Sequence, residues 1–426
     1  MAKQNQKDHK QIGIEQELFF SHDYAPGAPF WLPKGMVIFK ELEKYIRELT
    51  EEAGYLETST PIMVKSQLFI ESGHFTKFGK DNMYNLPIYE DEEIQEGKVP
   101  TVKIKVNGKL QEVPEVNYSL KPMNCPESTI IYRFRPRSYR ELPLRFSEIG
   151  RLHRREKSGE VNGLLRVRQL TMDDAHIYAT EDQIYDEVSS ILDMMENFYK
   201  KFGFEYEFRF ATRPEQRAGS DEIWDKAEKD LEDVLKKKGI KAGDKKGDGA
   251  FYGPKIDVHI KDSLGRDWQL ATVQLDFHQP EAFKLEYVDE KGQKQRPVMI
   301  HRAIFGSFER FIGILLEHYG GNLPLWLAPC QIWIIPVGTR HRKFAKEIGK
   351  SFQNMDFRFE VKGENETVSK KIRDGELQKI PYLLVVGDKE LKGKSVRVRE
   401  RGKGDIGIMK IERFLEKLKR EIKNKL

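Results

Sequence analysis

Ile38, Leu42, Tyr45, Ile46 and Leu49 recur at three- and four-residue steps and predict an amphipathic helix over 35–53, ended by Gly54. The stretch 55–61 then reads as a strand stopped by proline. Segments 144–156 and 163–170 alternate apolar and polar positions and predict two strands. The polar turn Lys157-Ser-Gly-Glu-Val-Asn162 between them makes the pair antiparallel. A long helix is expected over 181–201, then short strands at 204–211, 255–261, 266–276 and 283–288. Phe308, Phe311, Ile312 and Leu315 share one face of a helix over 307–319, closed by Gly320-Gly321. Mostly antiparallel strands with helices outside their run predict the α+β class, not a doubly wound sheet. Residues 86–117 interrupt the order as an inserted excursion, with a hairpin turning on Asn107-Gly108.

Beyond Pro324 and Pro329 strand and helix alternate instead. Strands are expected at 332–337, 358–361, 382–386 and 395–399, with helices near 340–355, 366–378 and 411–424. The chain therefore divides into a larger body over 1–325 and a small α/β module over 326–426.

Composition narrows the class. A content of 38% hydrophobic and 11% aromatic residues is that of a folded globular protein. After Met1-Ala2 the next eight residues are all polar, with no apolar core, which argues against a signal peptide. No apolar run approaches the ~18 residues of a membrane span. Two cysteines, Cys125 and Cys330, do not make a disulfide framework and fit a reducing cytoplasm. The net charge of +5 conceals a split. Residues 340–426 hold 25 Lys+Arg against 14 Asp+Glu, and residues 1–339 hold 48 against 54. Either nucleic acid meets the C-terminal end, or a solvated Lys/Glu surface covers it.

Three residues have the chemistry of zinc ligands: Cys125, His176 and His301. Gaps of 51 and 125 residues between them carry no ligand-spacing signal, so taken alone a shared metal is much the lesser reading. Arg154 and Glu156 lie two apart, as do Arg166 and Arg168 on the partner strand, which puts each pair on one face. Arginines fork onto phosphate oxygens and a carboxylate accepts from an adenine amino group, although a salt-bridged surface has the same composition. Ser307 and Arg310 start the 307–319 helix near its positive end, where a polyphosphate could dock. Gly402-Lys-Gly-Asp-Ile-Gly407 matches a dinucleotide fingerprint, but only nineteen residues follow it, too few for the required second strand and acid.

Taken together, these segments resemble the class II aminoacyl-tRNA synthetases, and within them the threonyl enzymes. The helix at 35–53 with its strand and Pro61 resembles the first class motif. The second is Phe146-Ser-Glu-Ile-Gly-Arg-Leu-His-Arg-Arg-Glu156 with Leu165-Arg-Val-Arg168, and the third is Gly306-Ser-Phe-Glu-Arg-Phe311. Lys121-Pro-Met-Asn-Cys-Pro126, Asp173-Asp-Ala-His176, Gly249-Ala-Phe-Tyr-Gly-Pro-Lys255, Val273-Gln-Leu-Asp-Phe277 and Ile300-His-Arg-Ala303 are the threonyl-type stretches. The resemblance implies an antiparallel sheet flanked by helices, a homodimer built through the first motif, and a C-terminal anticodon-binding domain. It implies ATP, L-threonine and threonine tRNA as substrates, with a threonyl-adenylate between the two steps.

By the same resemblance Cys125, His176 and His301 would bind Zn2+. Arg154, Glu156, Arg166, Gln269, Ser307 and Arg310 would hold ATP with its Mg2+, Arg154 and Arg310 acting on the reacting phosphates. Met123, Asp174, Tyr252, Lys255 and Gln274 would line the threonine pocket, and Asn365, Arg373, Glu390 and Arg397 would read the anticodon. Met172 stands where the family usually has glutamine, and Glu127-Ser128 where it commonly has Gly-His. Many threonyl enzymes carry an N-terminal editing domain, whereas here the catalytic segments begin within about a dozen residues of Met1. A separate editing protein as partner, or truncation of a longer chain, would account for this start.

Overall fold

The structure is a computed structural model that describes residues 7–75, 82–86, 101–106, 109–114, 118–262 and 265–425. Its centre is an eight-stranded sheet in the order Gly243–Lys245, Tyr206–Ala211, Lys255–Lys261, Asp267–Asp276, Val298–Ala303, Gln169–Ala179, Leu144–His153 and Leu56–Glu57. Neighbours are antiparallel except at the two edges, where short strands pair in parallel. Helix Ile184–Phe202 packs on this sheet with Val188, Ile191, Leu192, Met195 and Tyr199 buried, and Gly203 ends it at φ 71°. The fold is the expected α+β class.

Several elements depart from the pattern reading. The second hairpin strand begins at Gln169, not near 163, because 163–168 form a turn: Leu165 N donates to Asn162 O and Arg168 N to Gly27 O. Strands over 171–179 and 298–303 lie outside the predicted elements. Both are largely buried on both faces, which erases the alternation that marks a half-exposed strand. Helix Asp221–Lys237 was likewise unpredicted, and the strand expected at 283–288 is reduced to Tyr287–Val288. The excursion holds the expected hairpin, Thr101–Val106 against Lys109–Pro114, with Val106 opposite Lys109; Asn107-Gly108 lie outside the described residues.

Packing separates two compact units. One comprises Pro26–Ala28 and Ile46–Phe311; the other joins the segments before Ala25, Pro29–Tyr45 and the chain from Ile312 onward. Within the second unit, His9 donates from N (3.2 Å) and shares its Nδ1 (2.7 Å) with Glu317 Oε1, fastening helix His9–Glu15. That unit also holds a five-stranded sheet: Phe359–Val361, Ile332–Pro336 and Tyr382–Val386 in parallel, then Ser395–Glu400 and Gly404–Lys410 antiparallel. Ile332, Ile334, Phe352, Leu384, Phe414 and Leu418 form its core. The glycine-rich 402–407 segment is the turn and return strand of a hairpin, not a nucleotide loop.

Candidate functional site

Register builds the site. Lys255 lies opposite Gln274, Gln274 opposite His301, and His301 opposite His176, one rung across four strands. Asp174 and Met172 follow His176 at two-residue steps, so the same face carries all three. Across this face runs a cleft of about 310 Å³. Met123, Cys125, Arg154, Asp174, His176, Tyr252, Gln269, Gln274, His301, Ser307 and Arg310 all line it, although they come from segments spread over 188 residues of chain.

Among them, Cys125 Sγ and the ring nitrogens of His176 and His301 lie within 4.8 Å of one another, all three residues buried. Cys125 is the first residue of helix Cys125–Arg133. His301 Nε2 is 2.9 Å from Asp276 Oδ2, which leaves Nδ1 as the ring's ligating atom. Asp276 is itself fixed: its Oδ1 accepts from the backbone N of His278 (2.7 Å) and Gln279 (2.9 Å), and its Oδ2 from Gln279 Nε2 (3.0 Å). A carboxylate behind a histidine is the usual support of a metal ligand. Burial pushes the Cys125 thiol up and holds the His176 imidazole well below its ordinary range. Without a cation, then, both side chains are neutral. One sulfur and two imidazoles at these separations fit a zinc ion.

The neighbours are polar and interlocked. Asn124 Nδ2 donates to Asp174 Oδ2 (3.0 Å), and Asp174 Oδ1 lies 3.8 Å from His176 Nε2. Tyr252 Oη donates to Gln274 Oε1 (2.5 Å), and its ring stacks on His301 at 4.8 Å. Burial raises the Asp174 carboxyl, and the Asn124 hydrogen bond opposes that rise. On the same cleft Arg154 donates to Pro122 O (3.2 Å) and Arg310 to Leu165 O (2.9 Å). Burial holds both guanidinium groups below the usual arginine range.

Three expected residues do not line this cleft. Lys255 Nζ donates to Asp257 Oδ2 (2.5 Å). Arg166 pairs with Glu156 (2.8 Å) and Glu160 (3.0 Å), and Glu156 faces an adjoining cleft with Asn82 and Tyr84. The strand ends at His153, and Glu156 N turns back onto Arg154 O (2.9 Å), so the alternation expected to keep Arg154 and Glu156 on one face is broken. His74, by contrast, enters unpredicted. It is fully buried, with Nε2 3.5 Å from Cys125 Sγ and Nδ1 2.8 Å from Ser72 Oγ, and burial holds it down to about 3. Only its setting in Ser72-Gly73-His74, outside the quoted motifs, could have singled it out.

In the other unit Asn365, Arg373 and Arg397 are exposed, Arg397 pairing with Asp405 (2.7 Å). Glu390 is buried, and its Oε2 accepts from Gly387 N (2.9 Å), capping its own helix.

Two family profiles match the chain: a tRNA synthetase class II core domain (G, H, P, S and T) over residues 106–319, and an anticodon binding domain over 331–421. Threonine–tRNA ligases of Desulforamulus reducens and Carboxydothermus hydrogenoformans are 46% and 47% identical over 419 residues. Those alignments cover 98% of this chain and 62% of each relative's length. A crystal structure of the RNA binding domain of threonyl-tRNA synthetase from Cryptosporidium parvum superposes with a TM-score of 0.88 at 35% identity, covering 97% of this chain and 98% of that one. A putative threonyl-tRNA synthetase from Aeropyrum pernix gives 0.79 at 26% identity, over 98% and 96% of the two chains. The chain belongs to the class II tRNA synthetase family, and within it to the threonyl branch.

Proposed function

We propose that this chain ligates L-threonine to threonine tRNA through a threonyl-adenylate, selecting threonine over valine with a zinc ion on Cys125, His176 and His301. The observation that carries this reading is the meeting of those three donors within 4.8 Å in a cleft that Arg154 and Arg310 also line. Zinc, when bound, would offer coordination positions that the amino and hydroxyl groups of threonine fill and valine cannot. An apolar pocket alone separates such near-isosteres only weakly. Asp174 accepts the hydroxyl hydrogen, while Tyr252 and Gln274, tied together at 2.5 Å, close the pocket beside Met123. Lys255 holds Asp257 behind that wall.

The threonine carboxylate attacks the α-phosphorus without needing a base, so catalysis is positioning and charge stabilisation. Arg154 binds the α-phosphate, and Arg310, with Arg166 beyond it, the outer phosphates. Ser307 and Gln269 flank the nucleotide, and Glu156 accepts from the adenine amino group once Arg166 releases it. ATP would bring Mg2+ as part of the substrate, supplying positive charge to its phosphates. Residues 1–325 act as the catalytic body, and 326–426 read the anticodon through Asn365, Arg373 and Arg397, with Glu390 bracing the start of its helix. The working form is a cytoplasmic homodimer.

ATP–pyrophosphate exchange that depends on threonine, together with elemental analysis, tests the core of this reading. Wild type should hold one zinc per chain and Cys125→Ala should lose it. Undiminished zinc in the variant, or exchange indifferent to threonine, would sink the assignment.

A further inference from the structure

The C-terminal α/β sheet holds a buried charge that the proposed reaction leaves unused. Lys371, on helix Val368–Leu377, is only 3% exposed. Its ammonium donates to the carbonyl oxygens of Lys362 and Glu364, at 2.7 Å each. Both acceptors belong to the connection from strand Phe359–Val361 to that helix, and this connection carries the exposed Asn365. Other bonds fasten its ends. Lys362 N donates to Ile334 O (2.8 Å), and Lys362 Nζ lies 4.2 Å over the Trp333 ring. Thr367 Oγ1 accepts from Lys370 N (3.2 Å) as the helix N-cap. Between those anchors, the ammonium of Lys371 ties the middle of the loop to the helix.

An apolar side chain would fill the same space without the cost of desolvating an ammonium. The charge therefore serves the two carbonyls, and through them the shape of the loop. We propose that Lys371 is a positioning residue for tRNA recognition, holding residues 362–366 in the conformation that presents Asn365 to an RNA base. The proposal rests on the reading of 326–426 as the anticodon-binding part. A loop ordered beforehand spares the tRNA the cost of ordering it on binding.

Lys371→Met keeps the length of the stem and removes the donors. In the full chain it should raise KM for threonine tRNA by about tenfold for each loop residue the tRNA must re-order. The maximal aminoacylation rate and the tRNA-independent pyrophosphate exchange should stay at wild-type values. Asn365→Ala, assayed alongside, should also raise KM for the tRNA. An effect of Asn365→Ala with none from Lys371→Met overturns the role of Lys371. No effect from either variant overturns the anticodon reading beneath it. Hydrogen exchange on the wild-type protein tests the proposal without any variant. The Gly363 and Glu366 amides, bonded to Val361 O (3.0 Å) and Glu364 O (2.9 Å), should exchange more slowly than unstructured amides before tRNA is added, and exchange at the unstructured rate there overturns the proposal.

Discussion

Arg310 donates through Nε to the Leu165 carbonyl (2.9 Å) and lies over the Trp268 ring at 5.8 Å, so its guanidinium is held in place before a nucleotide arrives. A preset charge of this kind acts on the transition state and needs no reorganisation when the reaction occurs. Arg310→Ala should therefore lower pyrophosphate exchange by about 10²–10³. Exchange near the wild-type rate would remove Arg310 from the reacting phosphates. The adjacent Glu309 has a different task. It is buried, and its carboxylate accepts from the Thr171 N–H with both oxygens (3.1 and 2.9 Å). Burial pushes its carboxyl from 4.5 up to about 7, against those hydrogen bonds. The folded chain thus holds this proton more tightly than the unfolded chain. That contribution to stability is complete below about pH 4.5 and is lost as pH rises through about 7. Glu309→Gln cannot titrate, so from pH 4.5 to 7 its stability relative to wild type should rise by up to about 1.4 kcal/mol per pH unit. Urea unfolding at pH 5, 6 and 8 measures that gap, and a constant gap would refute the assignment.

At the scale of elements, the site depends on one close approach. Gly253 follows Tyr252 at the foot of strand Lys255–Lys261, and a Cβ there would sit 1.8 Å from the Leu275 carbonyl oxygen. Gly253→Ala must push this turn off strand Asp267–Asp276, and Tyr252 would then lose Gln274. Such overpacking typically costs about 1–3 kcal/mol. The expected outcome is a lower melting temperature and a raised KM for threonine, with KM for ATP changed less. Unchanged threonine kinetics would mean that Tyr252 does not close the pocket. The same elements show what was legible in the chain. Helix Pro33–Glu52 and helix Phe308–His318 follow from their apolar stripes to within two residues. Strand Val298–Ala303, buried at every position, has no alternation to read, yet it carries His301. Cys125, His176 and His301 were legible as donor types, but their meeting depends on the pairing of His176 with His301 across two strands and on a helix start, none of which spacing encodes. His74 and Asp276 were missed because one contacts the site from outside the motif segments and the other supports a ligand from behind. Glu156 was misplaced because a single backbone turn ended the strand three residues early.

For the whole molecule the decisive question is which amino acids the cleft can tell apart. The cleft combines three metal-type donors with Asp174, a set that on the proposed reading would meet an amino group and a hydroxyl on adjacent carbons. Valine lacks the hydroxyl and is refused where the site has built polar groups to meet one. Serine has both groups and lacks only the methyl. One missing methyl is worth roughly 1–3 kcal/mol, or about 10–200-fold, while translation asks for about 10⁴. Packing against lining side chains such as Met123 and Tyr252 can supply only that much. This chain should therefore activate serine measurably, with kcat/KM for threonine exceeding that for serine by about 10–200-fold and exceeding that for valine by far more. Pyrophosphate exchange with the three amino acids in parallel gives both ratios. A threonine-to-serine ratio near 10⁴ would show that the cleft reads the methyl by a contact beyond simple packing. Valine activated as well as serine would mean that Cys125, His176, His301 and Asp174 do not recognise the hydroxyl at all.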